Sequence, residues 1–201
     1  ADGRFLYVSD LGIDKIMIYE IDREEGKLVP ASEPWFESEP GSGPRHLVLH
    51  PNGEFVYSNE ELSVTVAALS IDEETGALSQ IQRLSMLPEG VEGDDSMSGA
   101  DIHISPDGGF LYASVRGENL LAVYKIDEKS GDLSLIEHVS TEGNHPRNFM
   151  VDEMGEFAIV ANRDSDHIVV LDRNSETGEL TFTGTEAEVP VVVCVTQLII
   201  E

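Results

Sequence analysis

Asn52-Gly53-Glu54-Phe55-Val56-Tyr57 opens a strand directly behind a turn, and the chain writes this arrangement four times. The other copies are Asp2-Gly3-Arg4-Phe5-Leu6-Tyr7, Asp107-Gly108-Gly109-Phe110-Leu111-Tyr112 and Met154-Gly155-Glu156-Phe157-Ala158-Ile159. Their glycines, Gly3, Gly53, Gly108 and Gly155, recur at steps of 50, 55 and 47 residues. Asn-Gly and Asp-Gly are strong hairpin signals, because a type I′ turn needs positive φ at both central positions. We therefore expect turns of that type. A Phe or Tyr two or four places beyond each glycine points to one face of the strand that follows.

A second punctuation runs in phase with the first. It reads Ile21-Asp22 with Gly26-Lys27-Leu28, then Ile71-Asp72 with Gly76-Ala77-Leu78, then Ile126-Asp127 with Gly131-Asp132-Leu133, and more loosely Asn174 with Gly178-Glu179-Leu180. Between the two kinds of turn lie β-rich runs at 15–21, 64–71, 120–126 and 167–171. Each repeat thus holds about four short strands, and no long amphipathic helix interrupts them. Four-stranded units at intervals of about 40–50 residues are the signature of propeller blades. A β-sandwich also offers frequent turns, but it does not require the same two turns to recur in register. The expected fold is all-β: a partial propeller of about four four-stranded blades, with residues 1–201 forming one domain.

Composition narrows the function classes. The 201 residues include 39 acidic and 12 basic side chains, a formal charge of −27. Such a field repels nucleic acid and anionic membrane surfaces, so neither is an expected partner. No apolar run reaches the roughly 18 residues of a spanning helix. A single cysteine, Cys194, excludes an intrachain disulfide. With no signal-peptide pattern in view, the cytoplasm is the expected compartment. Flanked by Val193 and Val195, Cys194 reads as a small buried strand residue. No G-x-S-x-G, Walker A, H-E-x-x-H or paired C-x-x-C pattern occurs. The six histidines are scattered, and Asp94-Asp95 lacks the spaced oxygen ligands of a calcium loop, so no metal or other cofactor is expected.

The first strands of the units carry more distinctive residues. They are Gly43-Pro44-Arg45-His46-Leu47-Val48-Leu49-His50-Pro51-Asn52-Gly53, Ala100-Asp101-Ile102-His103-Ile104-Ser105-Pro106-Asp107-Gly108 and His145-Pro146-Arg147-Asn148-Phe149. With Tyr112-Ala113-Ser114-Val115-Arg116-Gly117 and Ala161-Asn162-Arg163-Asp164-Ser165-Asp166, they resemble the lactonase family of seven-bladed propellers. That family includes 6-phosphogluconolactonases and fungal carboxy-cis,cis-muconate cyclases. Val189-Pro190 with Val193-Cys194-Val195 is similar to the family's closing strand, Val191 and Val192 departing from its usual pattern. The resemblance implies hydrolysis of 6-phosphoglucono-1,5-lactone, a small anionic substrate, with a muconate-type cyclase or a non-catalytic binding propeller as alternatives. It also implies further blades, with no counterpart here, preceding the first repeat. A partial ring leaves open blade edges, and we expect self-association through them.

Candidate site residues emerge where the repeats differ, since function is grafted onto a shared scaffold. Eight residues beyond each glycine stand Leu11, Glu61, Arg116 and Arg163; eight before stand Arg45, Ala100 and Arg147. Blade geometry places these at the ends of inner strands, facing the channel. Arg45, Arg116, Arg147 and Arg163 are expected to bind phosphate or carboxylate, or to stabilise an oxyanion. Glu61, His46 or His103 is the expected general base. A set of one His, one Glu and two Arg is proposed for the muconate cyclases. The resemblance matches Glu61 and Arg45 to two of them, and the second Arg to Arg116 or Arg147. The blander reading leaves Glu60 and Glu61 as a solvated pair, Arg45 and Arg147 as interblade ion pairs, Arg116 and Arg163 as structural turn residues, and His46 and His103 as strand residues donating to backbone carbonyls. His50, His138 (which looks exposed) and His167 read as structural.

Overall fold

A computed structural model describes residues 3–198 and contains fifteen strands in four antiparallel sheets. β1 (Phe5–Asp10), β2 (Lys15–Asp22) and β3 (Lys27–Glu37) form the first. The second comprises β4 (Pro44–Leu49), β5 (Phe55–Glu60), β6 (Thr65–Ile71) and β7 (Leu78–Ser85). The third comprises β8 (Ser98–Ile104), β9 (Phe110–Arg116), β10 (Leu120–Ile126) and β11 (Leu133–Ser140). The fourth comprises β12 (Pro146–Val151), β13 (Phe157–Asn162), β14 (His167–Arg173) and β15 (Leu180–Glu188). Each sheet is a meander in chain order, as the doubled turn pattern requires. The first sheet departs from the expected four strands: among the described residues it has three, equivalent to the second to fourth strands of the others.

The inner strands β4, β8 and β12 lie side by side around the axis, and β1 packs against β4. Apolar cores fill the spaces between successive sheets. Ile16, Ile18, Val56 and Leu69 join the first to the second, Tyr57, Val66, Leu111 and Tyr124 the second to the third, and Tyr112, Leu121, Phe149 and Val160 the third to the fourth. Covered on both faces, β5 and β9 are buried along their whole length. Strands of this kind lose the alternation of a half-solvated strand.

The repeat glycines have structural reasons. In the first kind of turn only the glycine takes positive φ, at 80° for Gly53, 77° for Gly108 and 69° for Gly155; Asn52 and Asp107 do not. The expected type I′ geometry is therefore replaced by a four-residue loop. His50 N–H donates to Phe55 O and Gly53 N–H to His50 O, and the same bonds join Ser105 to Phe110 and Gly108 to Ser105. Pro51 and Pro106 supply the fixed φ that the second position of a type I turn favours. In the second kind of turn Asp72, Asp127 and Asn174 accept backbone N–H bonds two and three residues on.

These two turns also latch the blades together. Tyr7, Tyr57 and Tyr112 donate their hydroxyls to the carbonyls of Gly76, Gly131 and Gly178 in the following sheet, at 2.9, 3.1 and 2.9 Å. Phe5, Phe55 and Phe110 pack against the same glycines, where a Cβ would collide with the ring. The Phe-x-Tyr pattern and the second glycine are thus two halves of one interblade contact.

Cys194 is corrected by the structure: it is exposed and lies outside any strand. The segment 192–198 runs past β12 without joining a ladder. Val195 N–H donates to Asn148 Oδ1 at 2.7 Å, and Glu153 N–H to Gln197 Oε1 at 3.1 Å.

Candidate functional site

Every inner strand carries a β-bulge at the same height. The register breaks between Pro44 and His46, between Gly99 and Ile102, and between Pro146 and Asn148. The residues set free from the ladder are Arg45, Ala100 with Asp101, and Arg147. A bulge re-aims a side chain that regular alternation would point elsewhere. Here it brings Arg45 and His46, neighbours in sequence, within 3.1 Å of each other through Nη1 and Nε2.

Arg45 and Arg116 meet at Glu61. Arg45 Nε lies 2.8 Å from Oε2, and Arg116 Nη2 lies 2.8 Å from Oε1; the three side chains are 16%, 8% and 21% exposed. Both arginines also donate to the backbone of β8, Arg45 to Ala100 O and Arg116 to Gly99 O. Glu61 is fixed in turn by its main chain, which donates to Gly43 O and accepts from Gly99 N. The alternative of a solvated glutamate pair is overturned, because Glu60 is buried and bound to Arg83 Nε at 2.6 Å while Glu61 holds two arginines. Burial lowers the Arg45 guanidinium from its ordinary value; Glu61 opposes this, while Arg116 and Arg147 add to it. An arginine remains charged through any such shift.

Arg147, on β12, is half-buried beside this group. Its charge is felt at Arg45 and at His145, yet among the described residues it has no hydrogen-bond or ion-pair partner. Arg163 is placed differently. It forks onto the adjacent Asp164 at 2.6 and 3.1 Å, in a short 3₁₀ turn, and touches His145 Nδ1 at 3.4 Å. It belongs to the rim and does not reach Glu61. His145 takes φ of 61°, an uncommon conformation for a residue with a Cβ. Burial and Arg163 hold its imidazole below the usual range; Asp164 opposes, and Arg116 and Arg147 add to the lowering.

The two candidate bases converge on a residue that the odd-position comparison passed over. His46 Nδ1 lies 2.6 Å from Asp101 Oδ1, and His103 Nε2 lies 3.2 Å from Asp101 Oδ2. Asn148 Nδ2 and the backbone N–H of Phe149 also donate to Oδ2, and the backbone N–H of Ile102 donates to Oδ1. Burial alone would raise the Asp101 carboxyl, but the hydrogen bonds and charges of His103 and His46 outweigh it and hold the group well below the usual carboxylate range. The signal was present in the repeat: seven residues before each glycine stand His46, Asp101 and Asn148. That row differs from blade to blade as the row beside it does.

Tyr7, Ser9, Arg45, His46, Asp101 and His103 line an open cleft of about 480 Å³ between β1, β4 and β8. This is the size of a small-molecule site. The other histidines stay structural. His50 bonds Gly108 O across the blades, and His167 bridges Ser165 O and Glu142 O. His138 is half-buried on β11, not exposed as its sequence suggested. Asp94 caps its own turn through Ser96. Among the described residues no group of three His, Cys, Asp or Glu is arranged to hold a metal ion.

Fold and site define a β-propeller whose inner strands gather two arginines on one glutamate with a third arginine beside them, in a chain of charge −27. The model of the family "Lactonase, 7-bladed beta-propeller" matches residues 1–197, and the chain belongs to that family. Among its relatives, a Bacillus subtilis 6-phosphogluconolactonase is 37% identical over 96% of this chain and 54% of its own length. A 6-phosphogluconolactonase of Formosa agariphila is 39% identical over 89% of this chain and 50% of its own. The solved periplasmic gluconolactonase of Pseudomonas aeruginosa superposes with a TM-score of 0.89 at 36% identity, covering 94% of this chain and 52% of that one. The chain therefore spans about half the length of the relatives it matches.

Proposed function

We propose that the protein hydrolyses a sugar lactone, with 6-phosphoglucono-1,5-lactone as substrate. The observation that carries this reading is the Arg45–Glu61–Arg116 cluster with the unpartnered Arg147 beside it. Ester hydrolysis passes through a tetrahedral oxyanion, and fixed guanidinium groups aimed at it lower the barrier. A phosphoryl group adds a dianion, for which a cation without an internal partner is the fitting receptor. The surrounding −27 field would repel that substrate, so a local excess of positive charge is what an anion site here needs. Kinship to 6-phosphogluconolactonases supports the same substrate.

A phosphorylated lactone does not cross a bilayer unaided, and we assign the protein to the cytoplasm on that ground. The Pseudomonas relative, described as a periplasmic gluconolactonase, makes the unphosphorylated lactone the natural comparison. The test is turnover of both lactones by the purified chain, with carboxy-cis,cis-muconate as a third arm. We expect kcat/KM to favour the phosphorylated lactone, and Arg45→Ala to lower it by roughly 100-fold or more, the scale of a lost oxyanion donor. Equal rates for both lactones would remove the phosphate reading. Turnover of muconate alone would point to the cyclase. Absence of turnover on all three would leave a binding propeller.

A further inference from the structure

Glu61 is a poor candidate for activating water, because each of its oxygens is already taken by a guanidinium group. His46 is placed otherwise. A carboxylate only accepts, so the 2.6 Å contact with Asp101 puts the His46 proton on Nδ1 and leaves the lone pair on Nε2. The side chain is 43% exposed, in the cleft, and Nε2 rests against Arg45 Nη1. Asp101 is itself only 5% exposed and is gripped by donors from β8 and β12, so it cannot turn away from the imidazole.

We propose that Asp101 is a positioning residue that fixes His46 as the base of the site, while Glu61 holds Arg45 and Arg116. The assignment rests on the lactone-hydrolysis reading. Water oxygen forms a bond to the lactone carbonyl carbon, and its proton passes to His46 Nε2. The carbonyl electron pair becomes an oxyanion, to which the Arg45 N–H resting on Nε2 turns. When the carbonyl re-forms, the ring C–O bond breaks and the leaving oxygen takes the proton back from His46. One lactone and one water give one hydroxy acid, whose carboxyl proton is released to solvent. The groups facing His46 are Asp101 and His103 from β8, Arg45 from β4 and Tyr7 from β1. Glu61, Arg116 and Arg147 stand behind Arg45.

The experiment combines kinetics with imidazole ¹⁵N NMR on the full chain. His46→Gln, at a partly exposed site, is expected to fold and to lose roughly 100-fold or more in kcat with little change in KM. Asp101→Asn should likewise lower kcat with little change in KM, the split expected of a residue that orients the base and not of one that only packs. In the wild-type protein NMR should show His46 as the Nδ1–H tautomer, and that tautomer should be lost on Asp101→Asn. A His46→Gln variant with wild-type kcat, or an Nε2–H tautomer in the wild type, would overturn the proposal. A wild-type chain that hydrolyses no lactone would sink the functional reading alone; the tautomer would still decide whether the Asp101–His46 pair exists.

Discussion

A charged side chain held inside a protein normally has its counter-charge beside it, because an unpaired buried ion costs several kcal/mol. Arg45, Arg116, Arg83 and Arg173 obey this rule, each with an acidic partner within 2.8 Å. Arg147 does not, among the described residues, and its charge is felt at the neighbouring Arg45 guanidinium. Its retention makes physical sense if an anion completes it. Arg147→Ala should therefore relieve repulsion without harming the fold, and thermal melting should show no loss. The same variant should raise KM for the phosphorylated lactone roughly 10–100-fold, the equivalent of one charge-assisted hydrogen bond, and raise it less for the unphosphorylated one. Equal changes on the two substrates would place the phosphate elsewhere. Glu61 shows the opposite economy: one carboxylate orders two arginines that would otherwise repel each other.

At the scale of strands and turns, the recurring Phe-x-Tyr and its glycine are explained by a contact between elements some 70 residues apart. Burial pushes the Tyr112 phenol up to about 12, consistent with a hydroxyl that stays protonated and donates. Tyr57→Phe would leave the Gly131 carbonyl without its donor and should cost about 1–2 kcal/mol. Gly131→Ala should cost more, about 2–4 kcal/mol, because φ is 75° and the new Cβ would stand 2.6 Å from the Phe55 ring. The two changes damage one contact, so the double variant should fall short of their sum in denaturant titrations. Full additivity would mean that the tyrosine and the glycine act separately. The bulges operate at this scale too. They turn three consecutive inner strands into a ring of polar side chains at one height, which regular strands would have split between two faces.

At the scale of the four sheets together, the latch has two unfilled halves among the described residues. Among the described residues no atom lies within 4 Å of where a Cβ on Gly26 would stand, whereas Gly76, Gly131 and Gly178 each receive a phenylalanine. Phe157, the equivalent ring of the fourth sheet, is 36% exposed. A knob at one end of these four sheets and a socket at the other are the two halves of one further interblade contact, and we propose that the 201 residues, taken alone, pair head to tail through them. The charge of −27 opposes this, with a range set by the Debye length, so association should grow as salt screens it. Sedimentation from low to high ionic strength should show the shift, and Phe157→Ser should weaken it. A sharp monomer at every salt concentration would show that the open ends do not engage one another.

How much was legible in advance differs between these scales. The blades, their order and their turns were readable because each depends on residues close in sequence. A glycine needing positive φ, an Asx turn and an alternating strand leave local marks, and repetition multiplied them. The turn type was misjudged because the bonds that close the loop span six residues, beyond the dipeptide. The arginines and Glu61 could be singled out as odd members of a repeated position, but not their pairing. That pairing, like the meeting of His46, Asp101 and Asn148 from three different sheets, arises when ring curvature brings residues about 50 positions apart to one mouth. Composition could mark the polar residues; only the packing of one blade on the next, with its bulges, decided which of them touch.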